Sequence, residues 1–192
     1  TSGGSPLLPA APCAAKGSRM SQSIIREATR ADIPWLAKLA AETFTETFGH
    51  RYKAEDLRAH LASKCSEDYF DAAFDFNDTI YLSELNGEAI GYGKLGHVEL
   101  PVKPAPERGG VEFHRVYIRK PFQGQGHGRN LLVSMISNPR AQHAPVTYIG
   151  VWEENVAACG LYVAHGFRPI GNYIYYVGTH PDHEIMMARK RG

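Results

Sequence analysis

The sequence predicts an α/β (α+β) domain, a sheet of about seven strands with helices on both faces. Three observations carry this reading. Short alternating, β-branched runs recur along the chain. Segments with apolar residues at three-to-four spacing lie between them. Asn86-Gly87, the strongest short hairpin signal, joins two of the runs.

Taken in order, residues 23–27 alternate and are β-branched, which predicts a strand. Thr29, Asp32 and Pro34 supply a capping type, an acid and an early proline, so a helix starts there. Ile33, Leu36, Ala40, Phe44 and Phe48 then form one face of a long helix that Gly49 ends. Residues 54–64 read as a second helix and 67–76 as a shorter third. Residues 79–85 and 88–100 are strands on either side of the Asn86-Gly87 turn. Prolines at 101, 104 and 106 mark residues 101–110 as a loop. Residues 111–118 form a strand, 126–137 a helix and 146–152 a buried strand. Residues 156–165 form a helix that Gly166 stops. Residues 167–177 and 184–188 close the chain as strands.

Composition excludes several classes. Of 192 residues, 21 are Lys or Arg and 20 are Asp or Glu, a formal charge of +1. There is no basic excess to suggest a nucleic-acid partner, and 43% hydrophobic content argues against disorder. No apolar run approaches the roughly 20 residues that span a bilayer, so no membrane partner is expected. Cys13, Cys65 and Cys159 are scattered, as reduced thiols of a cytoplasmic protein would be. No cysteine or histidine pair has metal-ligand spacing, so no metal is expected. The Pro-, Ala-, Gly- and Ser-rich residues 1–19 read as a disordered leader or an expression remnant. Residues 20–192 read as a single domain.

One stretch carries chemistry. The strand at 111–118 runs through Arg119-Lys120-Pro121-Phe122 into Gln123-Gly124-Gln125-Gly126-His127-Gly128, and a helix follows at once. Alternating glycines let successive N–H groups point into one concavity, and the helix N-terminus adds partial positive charge. The result is an anion site suited to a pyrophosphate. No Gly-Lys-Ser/Thr follows, so it is not a P-loop. It lies two-thirds along the chain, which does not suit a Rossmann loop.

This region resembles the GNAT superfamily of N-acetyltransferases. Gln123, Gly126 and Gly128 match its Gln/Arg-x-x-Gly-x-Gly/Ala hallmark. Gly150-Val151-Trp152-Glu153-Glu154-Asn155, Tyr162 and Gly166-Phe167 match a second hallmark in the right order. A narrower resemblance is to the bacterial branch that acetylates spermidine and spermine. It rests on Glu42-Thr43-Phe44, Glu46-Thr47-Phe48-Gly49-His50, Glu112-Phe113-His114-Arg115-Val116-Tyr117-Ile118 and Tyr176-Val177-Gly178. The resemblance implies the acyl-CoA N-acyltransferase fold, with a central mixed, mostly antiparallel sheet splayed at the middle. It implies a cytoplasmic enzyme that uses acetyl-CoA on a small-molecule amine, a polyamine among the candidates, and a homodimer is common among such relatives. Two other readings stay open: acetylation of a protein α-amino group or lysine, and a silent acyl-CoA-binding sensor.

Acetyl transfer needs an amine that has lost its proton, a donor for the oxyanion and a proton for the leaving thiolate. The resemblance implies that the pantetheine arm pairs with Val116, Tyr117 and Ile118, and that the pyrophosphate lies on the amides from Gln123 through Gly124, Gln125, Gly126, His127 and Gly128 to Arg129. Asn155 is expected to cap its helix and touch pantetheine. Tyr162 is the expected general acid. The resemblance places a catalytic Glu at Glu112, the preferred base, acting through a water with a pKa raised by partial burial; His114, two residues on and so on the same side, and a water chain are the alternatives. Phe48, His50, Tyr52, His114 and Tyr176 are the expected acceptor-site residues.

Overall fold

Asn86 and Gly87 both take left-handed backbone (φ 52° and 82°), the type I′ turn that matches strand twist. They join β2 (Thr79–Leu85) to β3 (Glu88–Gly96), with Leu85 opposite Glu88. The computed structural model describes residues 22–191; the leader expected at residues 1–19 lies outside them. Before this hairpin come β1 (Ile24–Glu27), α1 (Ile33–Phe48), α2 (Ala54–Lys64) and α3 (Glu67–Asp75). After it come β4 (Val111–Ile118), α4 (His127–Ile136), α5 (Pro139–His143), β5 (Val146–Trp152), α6 (Val156–Ala164), β6 (Arg168–Val177) and β7 (His180–Lys190).

Local chemistry sets the helix ends. The Asp32 carboxylate accepts from the Thr29 amide (2.8 Å) and Pro34 stands in the first turn of α1. The Ser66 hydroxyl caps α3 through the Tyr69 amide (3.2 Å). Asn138 caps α5 through the Arg140 amide (2.8 Å). That helix has five residues, too few to write a periodic stripe, so the sequence reading passed over it. The strand expected to reach residue 100 stops at Gly96. There the chain turns, and the Glu99 and Leu100 amides donate to the Glu112 side chain.

The seven strands form one sheet in the order β1-β2-β3-β4-β5-β7-β6. Every neighbouring pair is antiparallel except β4 and β5. Those two run parallel and pair over three positions only, Val111↔Thr147, Glu112↔Tyr148 and Phe113↔Ile149. Beyond Phe113 the strands part, which is the expected splay. On one face α1 and α3 pack on the sheet through Leu36, Phe44, Phe70 and Tyr92. On the other, α4 and α6 pack through Leu131, Leu132, Met135 and Tyr162 onto Phe113 and Ile149. Each fully buried side chain of this kind contributes roughly 1.5–3 kcal/mol, so both halves of the sheet are held from beneath the split.

One irregularity matters for the site. On β3 and β4, Lys94 pairs with Arg115, but the next partner of Leu95 is Phe113. His114 is the extra residue of a β-bulge. Opposed residues share a face, so Glu112 and Arg115, three apart in sequence, lie on the same side with Tyr117.

Candidate active site

Where β4 and β5 part, a cavity of about 390 Å³ opens. Val116, Tyr117 and Ile118 form one wall, bonded to β3 on their far edge and unpaired toward β5. An unpaired strand edge offers N–H and C=O groups to an extended ligand. Gln123, Gly124 and Gly128 continue this wall.

Gly124 (φ 74°) and Gly126 (φ 88°) take left-handed backbone, which glycine adopts without strain. The first α4 amide with a carbonyl partner is that of Asn130, bonded to Gly126 (3.0 Å). No amide from Gly124 to Arg129 has a partner among the described residues. Six free N–H groups at a helix N-terminus fit a pyrophosphate. The Gln123 side chain braces the loop by donating to the Ile118 carbonyl (2.8 Å), and Gln125 does the same to Pro121 (2.9 Å). The His127 ring is turned inward against the Ser23 hydroxyl (3.0 Å), so only its backbone faces the loop mouth. Arg129 is exposed.

Asn155 starts α6 and accepts from the Ala158 amide (3.1 Å). Tyr162, two turns on, lines the same cavity and packs on Phe167. Burial pushes the Tyr162 phenol well above its ordinary value, so it stays a hydrogen-bond donor at neutral pH.

A second cavity, of about 200 Å³, lies beside the first. The two share Phe48, His114, Tyr117, Gly150, Trp152 and Glu184 as a common wall. Glu112 lines the smaller cavity, but its carboxylate is engaged. One oxygen accepts from the Glu99 and Leu100 amides (2.7 and 2.9 Å), and the other faces His114 Nδ1 (3.2 Å). Burial alone would push this carboxyl up; the His114 ring and the two amides outweigh it and hold it below the ordinary range. The expectation of a raised pKa at Glu112 is therefore corrected. His114 Nε2 meets the His97 carbonyl (2.9 Å), so both ring nitrogens are engaged within the protein. Glu112 instead anchors the turn after β3. Glu112→Ala leaves two amides without an acceptor and should cost about 3 kcal/mol in denaturant unfolding at neutral pH. Because the folded-state pKa is depressed, the stabilisation is present above the ordinary carboxylate value. The difference from wild type should close as pH falls through the depressed one.

Glu184 is the carboxylate that faces both cavities. It lies on β7 opposite Trp152. Burial pushes its carboxyl above the ordinary value, and Asp182 adds to this, against the Tyr173 hydroxyl that donates to one oxygen. Gly150 makes room for this pair: a Cβ there would stand 2.6 Å from the Tyr173 hydroxyl and 3.0 Å from a Glu184 oxygen. The sequence reading missed Glu184, because only the β5–β7 pairing brings it to the cleft.

Phe48 and Tyr52 line the smaller cavity. The Tyr52 hydroxyl donates to Asp182, which also pairs with Arg51 (3.0 Å). His50 is exposed in a short turn and lines neither cavity. Tyr176 is 60% exposed, because alternation on β6 turns Tyr173 and Tyr175 into the cavity and Tyr176 away. Both expectations are corrected. Among the described residues no cluster of three or more His, Cys, Asp or Glu could hold a metal ion, and no helix is long and apolar enough to cross a membrane.

The sequence pattern of the acetyltransferase (GNAT) family matches residues 37–167. An uncharacterized N-acetyltransferase from the pepI 3′ region of Lactobacillus delbrueckii subsp. lactis is 26% identical over 86% of this chain and 95% of its own length. The L-methionine sulfoximine/L-methionine sulfone acetyltransferase of Pseudomonas paraeruginosa is 29% identical over 79% and 83%. Among solved structures, the PaiA N-acetyltransferase of Thermoplasma acidophilum, in complex with coenzyme A, superposes with TM-score 0.68 at 17% identity, over 88% of this chain and 98% of that one. YncA, a putative acetyltransferase of Salmonella typhimurium with acetyl-CoA, gives 0.64 at 24% identity over 90% and 95%. These two likenesses show the fold.

Proposed function

The chain belongs to the acetyltransferase (GNAT) family and is an acetyl-CoA-dependent N-acetyltransferase; on that premise we propose that its acceptor is the primary amine of a small molecule, which attacks the thioester directly while both substrates are bound. The observation that carries this is the pair of cavities with a common wall. The larger suits an extended acyl carrier along the free edge of β4. The smaller, of about 200 Å³, suits a compact acceptor and not a folded protein surface. That the Pseudomonas relative is an L-methionine sulfoximine/L-methionine sulfone acetyltransferase supports a small acceptor.

The residues divide the work as follows. The Gly124–Arg129 amides and the β4 edge hold acetyl-CoA, which supplies the activated acetyl group. Glu184 takes the proton of the acceptor ammonium. The amine nitrogen then bonds to the thioester carbonyl carbon, the C–S bond breaks, Tyr162 protonates the departing sulfur, and the second proton that the new amide nitrogen sheds restores the phenol, while Glu184 returns its own proton to solvent. Holding both groups at one wall supplies the orientation, which is the larger part of such a reaction. A polyamine is poorly matched to this cavity. Asp182 and Glu112 are already bonded within the protein, and Arg115 and Lys64 line the same space.

Acetyl-CoA at about a hundred times its dissociation constant should stabilise the fold by roughly 2.7 kcal/mol, a rise in Tm of roughly 5–10 °C. A thermal scan with and without acetyl-CoA checks this, and no shift would remove the cofactor reading. A screen of small amines against peptides, read by release of CoA thiol, tests the acceptor class.

A further inference from the structure

Arg115 is a buried charge without an ion pair among the described residues, with Glu184 within electrostatic reach. It is 9% exposed and lines the smaller cavity. Among the described residues no carboxylate lies within ion-pairing distance of it. Its neighbour across the ladder, Lys94, takes the buried Asp78 (2.6 Å). The guanidinium instead stands 5.8 Å from the ring centres of Tyr69 and Tyr117. Lys64, a second cation without an ion pair among the described residues, lines the same cavity beside Tyr69.

A guanidinium with no ion pair is costly to bury, and it cannot relieve that cost by losing its proton. The planar fork is matched by a carboxylate, which accepts two parallel N–H bonds. Position adds to this. Glu184 stands on the wall shared with the larger cavity, whereas Arg115 and Lys64 line the smaller cavity alone. Besides Glu99 and the engaged Glu112 and Asp182, the acceptor chamber thus holds a carboxylate on the shared wall and two cations that do not line the larger cavity.

We infer that the acceptor is an amine that also carries a carboxylate, an amino acid in the broad sense, and that Arg115 binds that carboxylate and sets the specificity. This rests on the small-molecule reading above and narrows it. The His114 bulge is what makes the arrangement: strict alternation from Glu112 would turn Arg115 to the other face.

The test uses matched probes: L-methionine, β-alanine and γ-aminobutyrate, each against its own carboxamide. They are assayed on wild type, Arg115→Gln and Arg115→Lys by CoA release. Wild type should prefer at least one acid over its amide by about tenfold or more in kcat/KM, mainly through KM. Arg115→Gln should abolish the preference, and Arg115→Lys should keep part of it. The Tm rise with acetyl-CoA reports that each variant is folded. Should Arg115→Gln fail to fold, the preference retained by Arg115→Lys carries the inference, and its complete loss in a folded lysine variant overturns it. Equal use of acids and amides by wild type overturns the role of Arg115 and leaves the small-amine reading standing. An acid preference that persists in folded Arg115→Gln does the same. Acetylation of peptides with none of the probes accepted overturns both.

Discussion

Tyr162→Phe should lower kcat at least about a hundredfold, the usual contribution of a positioned general acid, and leave KM for acetyl-CoA nearly unchanged. The hydroxyl has no hydrogen-bond partner among the described residues, while its ring packs on Phe167. Phenylalanine keeps that ring, so Tm should move little. The pH dependence is informative. Burial holds the phenol above its ordinary value, so it is protonated throughout the neutral range. The deficit should therefore be even between about pH 6 and 9. Unchanged turnover of CoA thiol in the variant would show that another group protonates the sulfur.

Glu184→Gln should lower kcat/KM by about a hundred- to a thousandfold at neutral pH, since the acceptor then keeps its proton. The sign of the pH effect follows from burial. The Glu184 carboxyl titrates above the ordinary carboxylate value, and only its ionised form accepts a proton. Wild-type activity should thus rise as pH climbs through that raised value. The variant should lose this limb and rise steadily instead, as free amine becomes available toward its own pKa near about 10. The same shift fixes the sign for stability. A carboxyl whose pKa is raised by folding favours the native state only while protonated, and that contribution is lost as pH rises through the raised value. Glutamine keeps an acceptor for the Tyr173 hydroxyl without the charge. At pH 7 the variant should be as stable as wild type or more so, by thermal scan. A variant that keeps wild-type kcat/KM would move the base elsewhere.

The local signals in the chain are legible where the chemistry is local. Asn86-Gly87 dictates its own turn, and the glycines from 124 to 128 dictate a loop of free amides. Tyr162 is found by its distance from the Asn155 cap and the Gly166 stop. What escapes reading depends on partners far away in sequence. The register slip between Lys94 and Leu95 re-aims Arg115, and nothing in residues 111–118 announces it. On β6, a run of aromatics obscures which parity faces inward, so Tyr176 is chosen where Tyr173 and Tyr175 face the cavity. Glu184 is an unremarked acid until β7 is seen to run from His180 to Lys190 and lie along both β5 and β6. Glu112 stands where a base is expected, and its carboxylate is occupied by two amides from a turn the sequence reads as strand.

The three-residue seam between β4 and β5 has a mechanical consequence. The flanking ladders are longer, with seven positions between β5 and β7, so the sheet is two stiff plates joined by a short weld. The plates part least at Val111–Phe113 and most at the mouth, like the jaws of a clothes peg whose spring is the core beneath them. A ligand lying along β4 completes the missing ladder and acts as a splint across the jaws. With the acyl donor held as proposed, loading it should stiffen the chamber that holds the acceptor.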